Sequence, residues 1–463
     1  MTENNERLYG RTNTLKLFLM IALPGAIGML ASSLYGLFDG IFVGQQLGKT
    51  AFAAVNLAFP FVVINFSLAD LIGVGSSVHI AIALGKGDKR KADNYFTCAC
   101  IAIVALGTLM GAIMWPAAPH LMRLLGAEGA LAEFAAQYMR VYAMFSPLCT
   151  MVFAADNYLR ICGKIKTSMT LNIAMSAGTV LLELLFLYAF LWGIWASAFA
   201  TCIAMMAVTL IAMLPFFGGR RALKFRKPEF SIKMFGEIAG AGAPNFLNNV
   251  AGRLTSIVLN AVLIAMGGED AVAVYGVIMY VNDIVQPLMY GVCDSLQPAI
   301  GYNYGSNRPE RVKKLTEYIF TAAGIISLAA AAITFALPEQ ITALFLSKHT
   351  PALEEMCIFA MRLFSLTFIT RWFGFAAQSF LTAINRSFYA SALSISNAIL
   401  LPMLFLGILW QANLTGIWLN FALTAAAVAI AAGAILFALR KSLLPKGDEG
   451  GGKNTDRAED ASE

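Results

Sequence analysis

Charged and catalytic residue types are scarce in this sequence. Charged residues occupy 13% of the 463 positions, there are only three histidines, and the seven cysteines include no Cys-x-x-Cys pair. With so little charge and 59% hydrophobic residues, an ordinary soluble globular protein is excluded. Because no histidine stands in metal-ligand spacing to a cysteine, we predict no metal site, and we expect the cysteines to pack as small apolar residues. No Ser-His-Asp set or hydrolase-type carboxylate pair can be assembled, so we expect neither an enzyme nor a cofactor.

What the chain does have is long apolar stretches. A membrane-spanning helix needs about 20 apolar residues, and twelve such stretches can be marked. The first is too long for a cleavable signal peptide and lacks a small-residue cleavage site, so it is predicted to be the first spanning helix. The predicted spans are 15–44, 51–84, 92–116, 131–161, 167–191, 193–217, 233–266, 270–300, 312–337, 353–384, 386–410 and 414–440.

The basic residues predict the orientation. Of the 33 Lys and Arg, 26 fall in the N-terminal segment, in the even-numbered loops between spans or in the C-terminal tail, while three lie in the opposite loops. Basic residues are retained on the cytoplasmic side, so both termini are predicted to be cytoplasmic in a multi-pass protein of a bacterial inner membrane. The net charge of +6 is explained by these short loops, and we expect no nucleic-acid partner.

The chain also repeats itself across its midpoint. A shift of 220 positions places Pro24 on Pro244 and Gly85 on Gly305, and a shift of 222 places Met139-Arg140 on Met361-Arg362. Duplicated bundles that enclose a site at the bilayer midplane recur in secondary transporters. We therefore predict an all-α fold of two six-helix lobes related by a parallel 6+6 repeat.

The predicted domain boundaries follow from the repeat and from one basic, Pro-containing stretch between the halves. They are an N-terminal cytoplasmic segment (1–14), an N-lobe (15–217), a cytoplasmic linker (218–232), a C-lobe (233–440) and a disordered cytoplasmic tail (441–463).

Acidic residues inside the predicted spans are the strongest functional signal, because a charged side chain at the bilayer centre costs about 2.5–3.5 kcal/mol or more. Asp39 and Glu183 stand in apolar runs, and their repeat partners are Leu259 and Pro402. An acid needed only for structure would be expected in both copies, whereas a coupling-ion site is needed once. We therefore predict that Asp39 and Glu183 form an ion site. The N-lobe also contains Asp70 and the pair Asp156 and Arg160, whose spacing allows a structural ion pair on one helix face.

The second half places two acids and two bases at membrane depth: Asp283, Asp294, Arg253 and Arg371. Two interpretations remain open. The four charges neutralise one another, or one of the acids faces a cavity and attracts a cationic substrate. Pro24 and Pro244 interrupt the first helix of each half, and we predict that these helices can bend there.

Four segments together resemble the multidrug and toxic compound extrusion (MATE) family, in particular its bacterial DinF-like branch. They are Pro24 followed by FDGIFVG (38–44), YLRICGKIKTS (158–168), GIWASAFAT (193–201) and QPAIGYNYG (297–305). The likeness covers residues 15 to 440. It implies a V-shaped molecule that exports diverse, often cationic organic compounds in exchange for H+ or Na+.

The resemblance also implies roles for single residues. The family's N-lobe ion site falls on Asp39 and Glu183, with Ser197 and Thr201 nearby. Where family members commonly have Asn-x-x-x-Asp, this chain has Thr179-Val-Leu-Leu-Glu183, which leaves the ion open. Another branch has its acids in helices 7 and 10, where this chain has acids only near the helix starts.

The partners expected are therefore small organic molecules and the lipid bilayer, and we expect a monomer. Three alternatives stay open. The chain could be a flippase of lipid-linked precursors, for which Arg253 and Arg371 would receive an anionic headgroup. It could be a major-facilitator transporter, although its segment GKGDKRK (85–91) is a poor match to the loop pattern of that family. It could also be a channel or receptor-like membrane protein without coupled transport.

Overall fold

The computed structural model describes residues 6–218, 222–345 and 350–445, and every regular element in these ranges is helical. Parts of the predicted N-terminal segment (1–5), linker (219–221) and tail (446–463) lie outside the described residues. The domain boundaries as a set stay a prediction.

The first half forms six long helical segments. Asn13 caps the first of them, because its side chain accepts hydrogen bonds from the backbone N–H groups of Leu15 and Lys16. The segments are α1 (Thr14–Leu47), α2 (Lys49–Gly85), α3 (Lys89–Leu124), α4 (Gly129–Cys149, continued by Met151–Ile161), α5 (Ile165–Glu183, continued by a π-helical segment Leu184–Ala189) and α6 (Trp195–Phe217).

The second half repeats this order. Its first two helices form one helical stretch, Ile232–Cys293, interrupted only by Gly268, whose φ of 63° suits glycine. The segments are α7 (232–267), α8 (269–293, extended by Asp294–Leu296 and Gln297–Gly305), α9 (Pro309–Ala336), a short helix Pro338–Phe345, α10 (Pro351–Ala383), α11 (Ser387–Ile395, Ser396–Leu400 and Leu401–Ile408) and, after Trp410–Ala412, α12 (Asn413–Leu439).

Most of these helices are apolar enough to cross a bilayer. By length and mean hydropathy, nine helical stretches within the described ranges could do so, and one of them, Ile232–Gly305, is α7 and α8 joined. The predicted spans α4 and α10 are not among the nine. Each carries charged residues, such as Arg140 in α4 and Arg371 in α10, which lower its mean hydropathy.

Helices of the two lobes meet backbone to backbone at glycines. A Cβ on Gly242 of α7 would lie 1.8 Å from the carbonyl oxygen of Leu71 in α2, and one on Gly75 would lie 1.9 Å from that of Ile238. At the repeat-related glycines, a Cβ on Gly85 would lie 2.1 Å from the carbonyl oxygen of Tyr302, and one on Gly305 would lie 2.2 Å from that of Ile82. Only glycine allows backbones to approach so closely. Helix α2 ends and α3 begins at the end of the molecule that carries the N-terminal segment. We call this end the basic end.

Polar contacts reinforce this junction. Arg160 of α4 pairs with Asp156 at 2.7 Å, as its spacing suggested, and donates from Nη1 to Ser295 Oγ of the other lobe at 2.6 Å. The hydroxyl of Tyr9 donates to the carbonyl oxygen of Arg160, and Arg311 Nη2 donates to the carbonyl oxygen of Tyr9 at 2.9 Å. The N-terminal segment therefore bridges both lobes at the basic end.

Contacts between α1 and α8 are dense near Gly25 and Gly291, where a Cβ on Gly291 would lie 2.3 Å from the Cα of Ala26. Farther from the basic end, Ser33 Oγ donates to the carbonyl oxygen of Asp283 at 3.0 Å. Beyond that contact, a Cβ on Gly36 would meet no atom within 4 Å. The lobes are thus joined by backbone contacts at the basic end and by the contacts of α1 with α8 as far as Ser33.

The two prolines lie inside helices that continue through them, since α1 stays helical across Pro24 and α7 across Pro244. No break in helical structure marks either position. Bending at these prolines stays a prediction.

Gly242→Ala should lower the thermal unfolding midpoint of the purified protein. The new methyl group would overlap the backbone of Leu71, and such overpacking costs about 1–3 kcal/mol. Gly240→Ala is the matched control, because a Cβ on Gly240 of the same helix meets nothing within 4 Å. Equal midpoints for the two variants would contradict the glycine contact between lobes.

Candidate functional site

The N-lobe acids are both buried and lie close enough to each other to interact electrostatically. Asp39 of α1 accepts a hydrogen bond from the hydroxyl of Ser197 at the start of α6. Glu183 of α5 is 0% exposed, and neither of its carboxyl oxygens has a hydrogen-bond partner among the described residues. The structure therefore brings together the two acids that the sequence predicts as an ion site.

Two threonines lie one helical turn from residues of this site. Thr179 stands one turn before Glu183, is 1% exposed, and its hydroxyl has no hydrogen-bond partner in the described part of the chain. Thr201 is buried one turn after Ser197 on α6. Five predicted residues from α1, α5 and α6 thus supply two carboxyls and three hydroxyls to one lobe.

The local fold at Glu183 is unusual. The α-helix ends at this residue and a π-helical segment, Leu184–Ala189, follows it. A π-helical turn contains an extra residue and often occurs at functional sites. The extra residue changes which face of the helix the following side chains occupy. The side chains after Glu183 therefore do not follow the α-helical pattern of those before it.

Three tyrosines that sequence reasoning missed lie within electrostatic range of the acids. They are Tyr35 of α1 and Tyr138 and Tyr142 of α4. Tyr35 could have been found, because it precedes Asp39 by one helical turn. Nothing in the sequence alone connects α4 to the site. In the structure the rings of Tyr138 and Tyr142 lie 5.3 Å apart.

This arrangement suits a small cation or a proton. A buried carboxylate without a hydrogen-bond donor costs several kcal/mol, and unpaired buried hydroxyls add to that cost. Binding of a proton would neutralise one carboxyl, and binding of Na+ would engage carboxyl and hydroxyl oxygens together.

The C-lobe contains an open cavity of about 370 Å³. Arg253, Asp283 and Arg371 line it, whereas Asp294 does not. Asp294 instead accepts hydrogen bonds from Ser379 Oγ at 2.6 Å and Gln297 Nε2 at 2.9 Å. The four charges that the sequence grouped together are therefore divided: three belong to the cavity, and Asp294 belongs to a separate hydrogen-bonded cluster.

Among the described residues, the charges at this cavity form no direct salt bridges, although Asp283 lies within electrostatic range of Arg253 and Arg371. Within the described ranges, neither Arg253 nor Arg371 forms an ion pair with Asp283 or Asp294. Arg371 donates to two amide oxygens, those of Asn282 and Gln286.

The cavity occupies the place in the C-lobe that the acids occupy in the N-lobe. The repeat places Asp39 on Leu259 and Glu183 on Pro402, and the GIW segments place Ser197 on Asn420 and Thr201 on Thr424. All four C-lobe partners line the cavity. The two sites are thus diverged copies of one ancestral position.

A duplicated bundle of membrane helices with a buried pair of acids in one lobe and a polar cavity in the other is typical of a membrane transporter. The MatE family model matches the chain twice, over residues 24–188 and 244–406, and the two matches begin at the repeat-related prolines. The chain belongs to the MATE family of transporters, and it is not an enzyme.

The relatives agree with this assignment. Multidrug export protein MepA of Staphylococcus aureus is 26% identical over 447 residues, covering 95% of this chain and 97% of MepA. The Staphylococcus saprophyticus MepA is 24% identical with the same coverage.

Solved structures share the fold. A crystal structure of MATE in complex with MaL6 has a TM-score of 0.89 and 26% identity, covering 96% of this chain and 100% of that one. A MOP superfamily transporter from Pyrococcus furiosus, described as having a binding pocket of reverse polarity, has a TM-score of 0.88 and 25% identity, with 95% and 98% coverage. The twelve-helix, two-lobe MATE fold is confirmed, while membership of the DinF-like branch stays a prediction.

Dicyclohexylcarbodiimide should modify Glu183, because this reagent attacks protonated carboxyls in apolar surroundings and the Glu183 carboxyl is buried without a donor. Peptide mass spectrometry should find higher occupancy at Glu183 than at Asp294, whose carboxyl accepts two hydrogen bonds. Glu183→Gln should remove the label at that peptide, and Glu133→Gln is the control. Labelling of Asp294 in preference to Glu183 would contradict the assignment.

Proposed function

We propose that this protein is a secondary active antiporter that exports amphipathic, often cationic organic compounds in exchange for H+ or Na+. The observation that carries the proposal is the buried N-lobe pair, Asp39 and Glu183, in which the Glu183 oxygens have no hydrogen-bond partner among the described residues. The name of the relatives, multidrug export protein, supports the substrate class.

The proposed cycle alternates access between the two ends. An ion from outside neutralises the pair, α1 bends near Pro24, and the changed wall of the cavity releases the substrate outward. Loss of the ion toward the cytoplasm resets the transporter. Because Asp39 and Ser33 both follow Pro24 on α1, a bend there would displace both residues relative to the basic end.

The ion gradient supplies enough energy for export. One charge that crosses 100 mV releases about 2.3 kcal/mol, and each pH unit adds about 1.36 kcal/mol. For a substrate without net charge these amounts add and support a concentration ratio of about one hundred or more. For a monovalent cation in one-for-one exchange the potential cancels, so each pH unit supports a ratio of about ten.

The same proposal includes the setting of the protein. We place it in the bacterial cytoplasmic membrane as a monomer with both termini in the cytoplasm, following the distribution of Lys and Arg. It uses no cofactor apart from the coupling ion, and Ser197, Thr201 and Thr179 assist the two acids at the ion site.

A flippase of lipid-linked precursors is the second candidate. It is favoured by one observation, the presence in the C-lobe cavity of Arg253 and Arg371, which outnumber the one acid there and form no salt bridge within the described ranges. The description of the Pyrococcus furiosus transporter, with its pocket of reverse polarity, shows that polarity varies among proteins of this fold. A channel without coupling would not accumulate substrate against a gradient.

Export of a fluorescent lipophilic cation from proteoliposomes tests the proposal, first under an imposed proton gradient and then under a sodium gradient. Asp39→Asn and Glu183→Gln should each reduce the gradient-driven rate about tenfold or more, because the titratable group that couples the ion is lost. The gradient that supports export identifies the ion.

Glu133→Gln is the control for this assay, since Glu133 is exposed and its carboxylate accepts a hydrogen bond from Gln137 Nε2. Unchanged export in both acid variants would move the coupling site to Asp283 or Asp294. No gradient-driven export in the wild type would leave the flippase as the better explanation.

A further inference from the structure

The C-lobe cavity has a net positive set of charges. Arg253 and Arg371 contribute two positive charges and Asp283 one negative charge, and the other lining residues carry no formal charge. Within the described part of the chain, the guanidinium of Arg253 forms no hydrogen bond or ion pair. A cavity built only for cations would be expected to show the opposite balance.

Arg371 is held in a fixed position with donors to spare. Its Nη2 donates to Gln286 Oε1 at 2.9 Å and its Nη1 donates to Asn282 Oδ1. A guanidinium has five N–H donors in a rigid fork, so three are not used by these two contacts. Neutral amide oxygens orient the group without cancelling its charge, which leaves that charge for a ligand.

Two hydroxyls on the cavity wall support the same conclusion. The hydroxyl oxygen of Tyr290 accepts hydrogen bonds from Asn248 Nδ2 at 2.8 Å and Gln286 Nε2 at 3.0 Å, so its own proton is available to an acceptor. Thr367 is 3% exposed, and its hydroxyl has no partner among the described atoms. Buried polar groups normally have a partner, so an unpartnered hydroxyl in a cavity wall indicates a ligand.

We propose that this cavity binds the carboxylate of a zwitterionic amphipathic compound, with Arg371 and Arg253 receiving the carboxylate and Asp283 receiving the cationic group. The inference rests on the proposed export function and specifies its substrate class. Aromatic side chains in the lining, Tyr275, Phe364 and Phe421, supply the apolar surface that an amphipathic molecule needs.

Rhodamine B and its ethyl ester test the proposal directly. They share one cationic fluorophore, but only rhodamine B carries a free carboxylate. Binding of each probe to the purified full-length protein in phosphatidylcholine nanodiscs is measured by fluorescence anisotropy. Binding does not require an ion gradient, so the measurement is independent of transport.

Arg371→Met should weaken the binding of rhodamine B about tenfold or more, because charge-assisted hydrogen bonds to the carboxylate are lost, and should change binding of the ester less than twofold. Arg253→Gln should also weaken the binding of rhodamine B. Because this substitution removes no hydrogen bond or ion pair within the described structure, it keeps the test decisive if the Arg371 variant misfolds. Asp283→Asn should weaken the binding of both probes by the same factor, because both carry the cationic group.

Arg140→Gln is the matched control, since Arg140 contacts Trp115 in the N-lobe and lies outside the cavity. Equal weakening of both probes by Arg371→Met and Arg253→Gln, or no effect of either substitution on rhodamine B, would overturn the proposal.

A lipid headgroup could supply the same anionic chemistry. The titration is therefore repeated in nanodiscs that contain phosphatidylglycerol. Unchanged rhodamine B affinity supports a free zwitterionic ligand. An affinity that falls with phosphatidylglycerol in the wild type, but not in Arg253→Gln, would assign the two arginines to lipid phosphate and overturn the proposal.

Failure of this inference can be told apart from failure of the proposed function. Gradient-driven export of the ester that depends on Glu183, together with rhodamine B binding indifferent to Arg371, refutes the cavity assignment alone. Selective rhodamine B binding without gradient-driven export of either probe supports the cavity and refutes the antiporter.

Discussion

Close backbone contact between the lobes at the basic end is the constraint on which the rest of the structure depends. Repeat-related glycines make this contact symmetric, since Gly85 packs on Tyr302 and Gly305 packs on Ile82. An interface between two similar halves becomes self-complementary in this way. The close approach of the helices at this end fixes how the two lobes of the MATE fold are joined.

Duplication also explains why the two lobes hold different sites at the same place. In the N-lobe, Ser197 donates to the Asp39 carboxylate. Its repeat partner, Asn420, donates to the carbonyl oxygen of Pro402, which stands where the N-lobe has Glu183. The C-lobe has no acid at these two repeat positions, and Pro402 lines an open, polar cavity. Under the proposed function, one copy of the repeat serves ion coupling and the other receives the substrate.

Much of this was accessible from the sequence. The apolar stretches and the repeat predicted the helices and the two lobes, and the cost of acids in a bilayer identified Asp39 and Glu183. Side-chain partners across helices were not predictable, because they depend on helix rotation and approach. Asp294 was therefore grouped with Arg371 although its carboxyl is bound by Ser379 and Gln297. The π-helical segment after Glu183 was also not predictable, because nothing in its apolar sequence LLFLYA distinguishes it from an α-helix.

The two sites need a physical connection if an ion in one lobe is to change the other, because an ion shifts an equilibrium only by its different affinity for the two states. Helix α1 provides such a connection. It carries Asp39, and its Ser33 donates to the backbone of Asp283 on α8, whose side chain lines the cavity. Ser33 lies between Pro24 and Asp39, and the dense contact at Gly25 and Gly291 fixes the helix near the proline. Any displacement of α1 that accompanies neutralisation of Asp39 must therefore either stretch the bond to Asp283 or move α8 with it, and both outcomes alter the wall of the cavity.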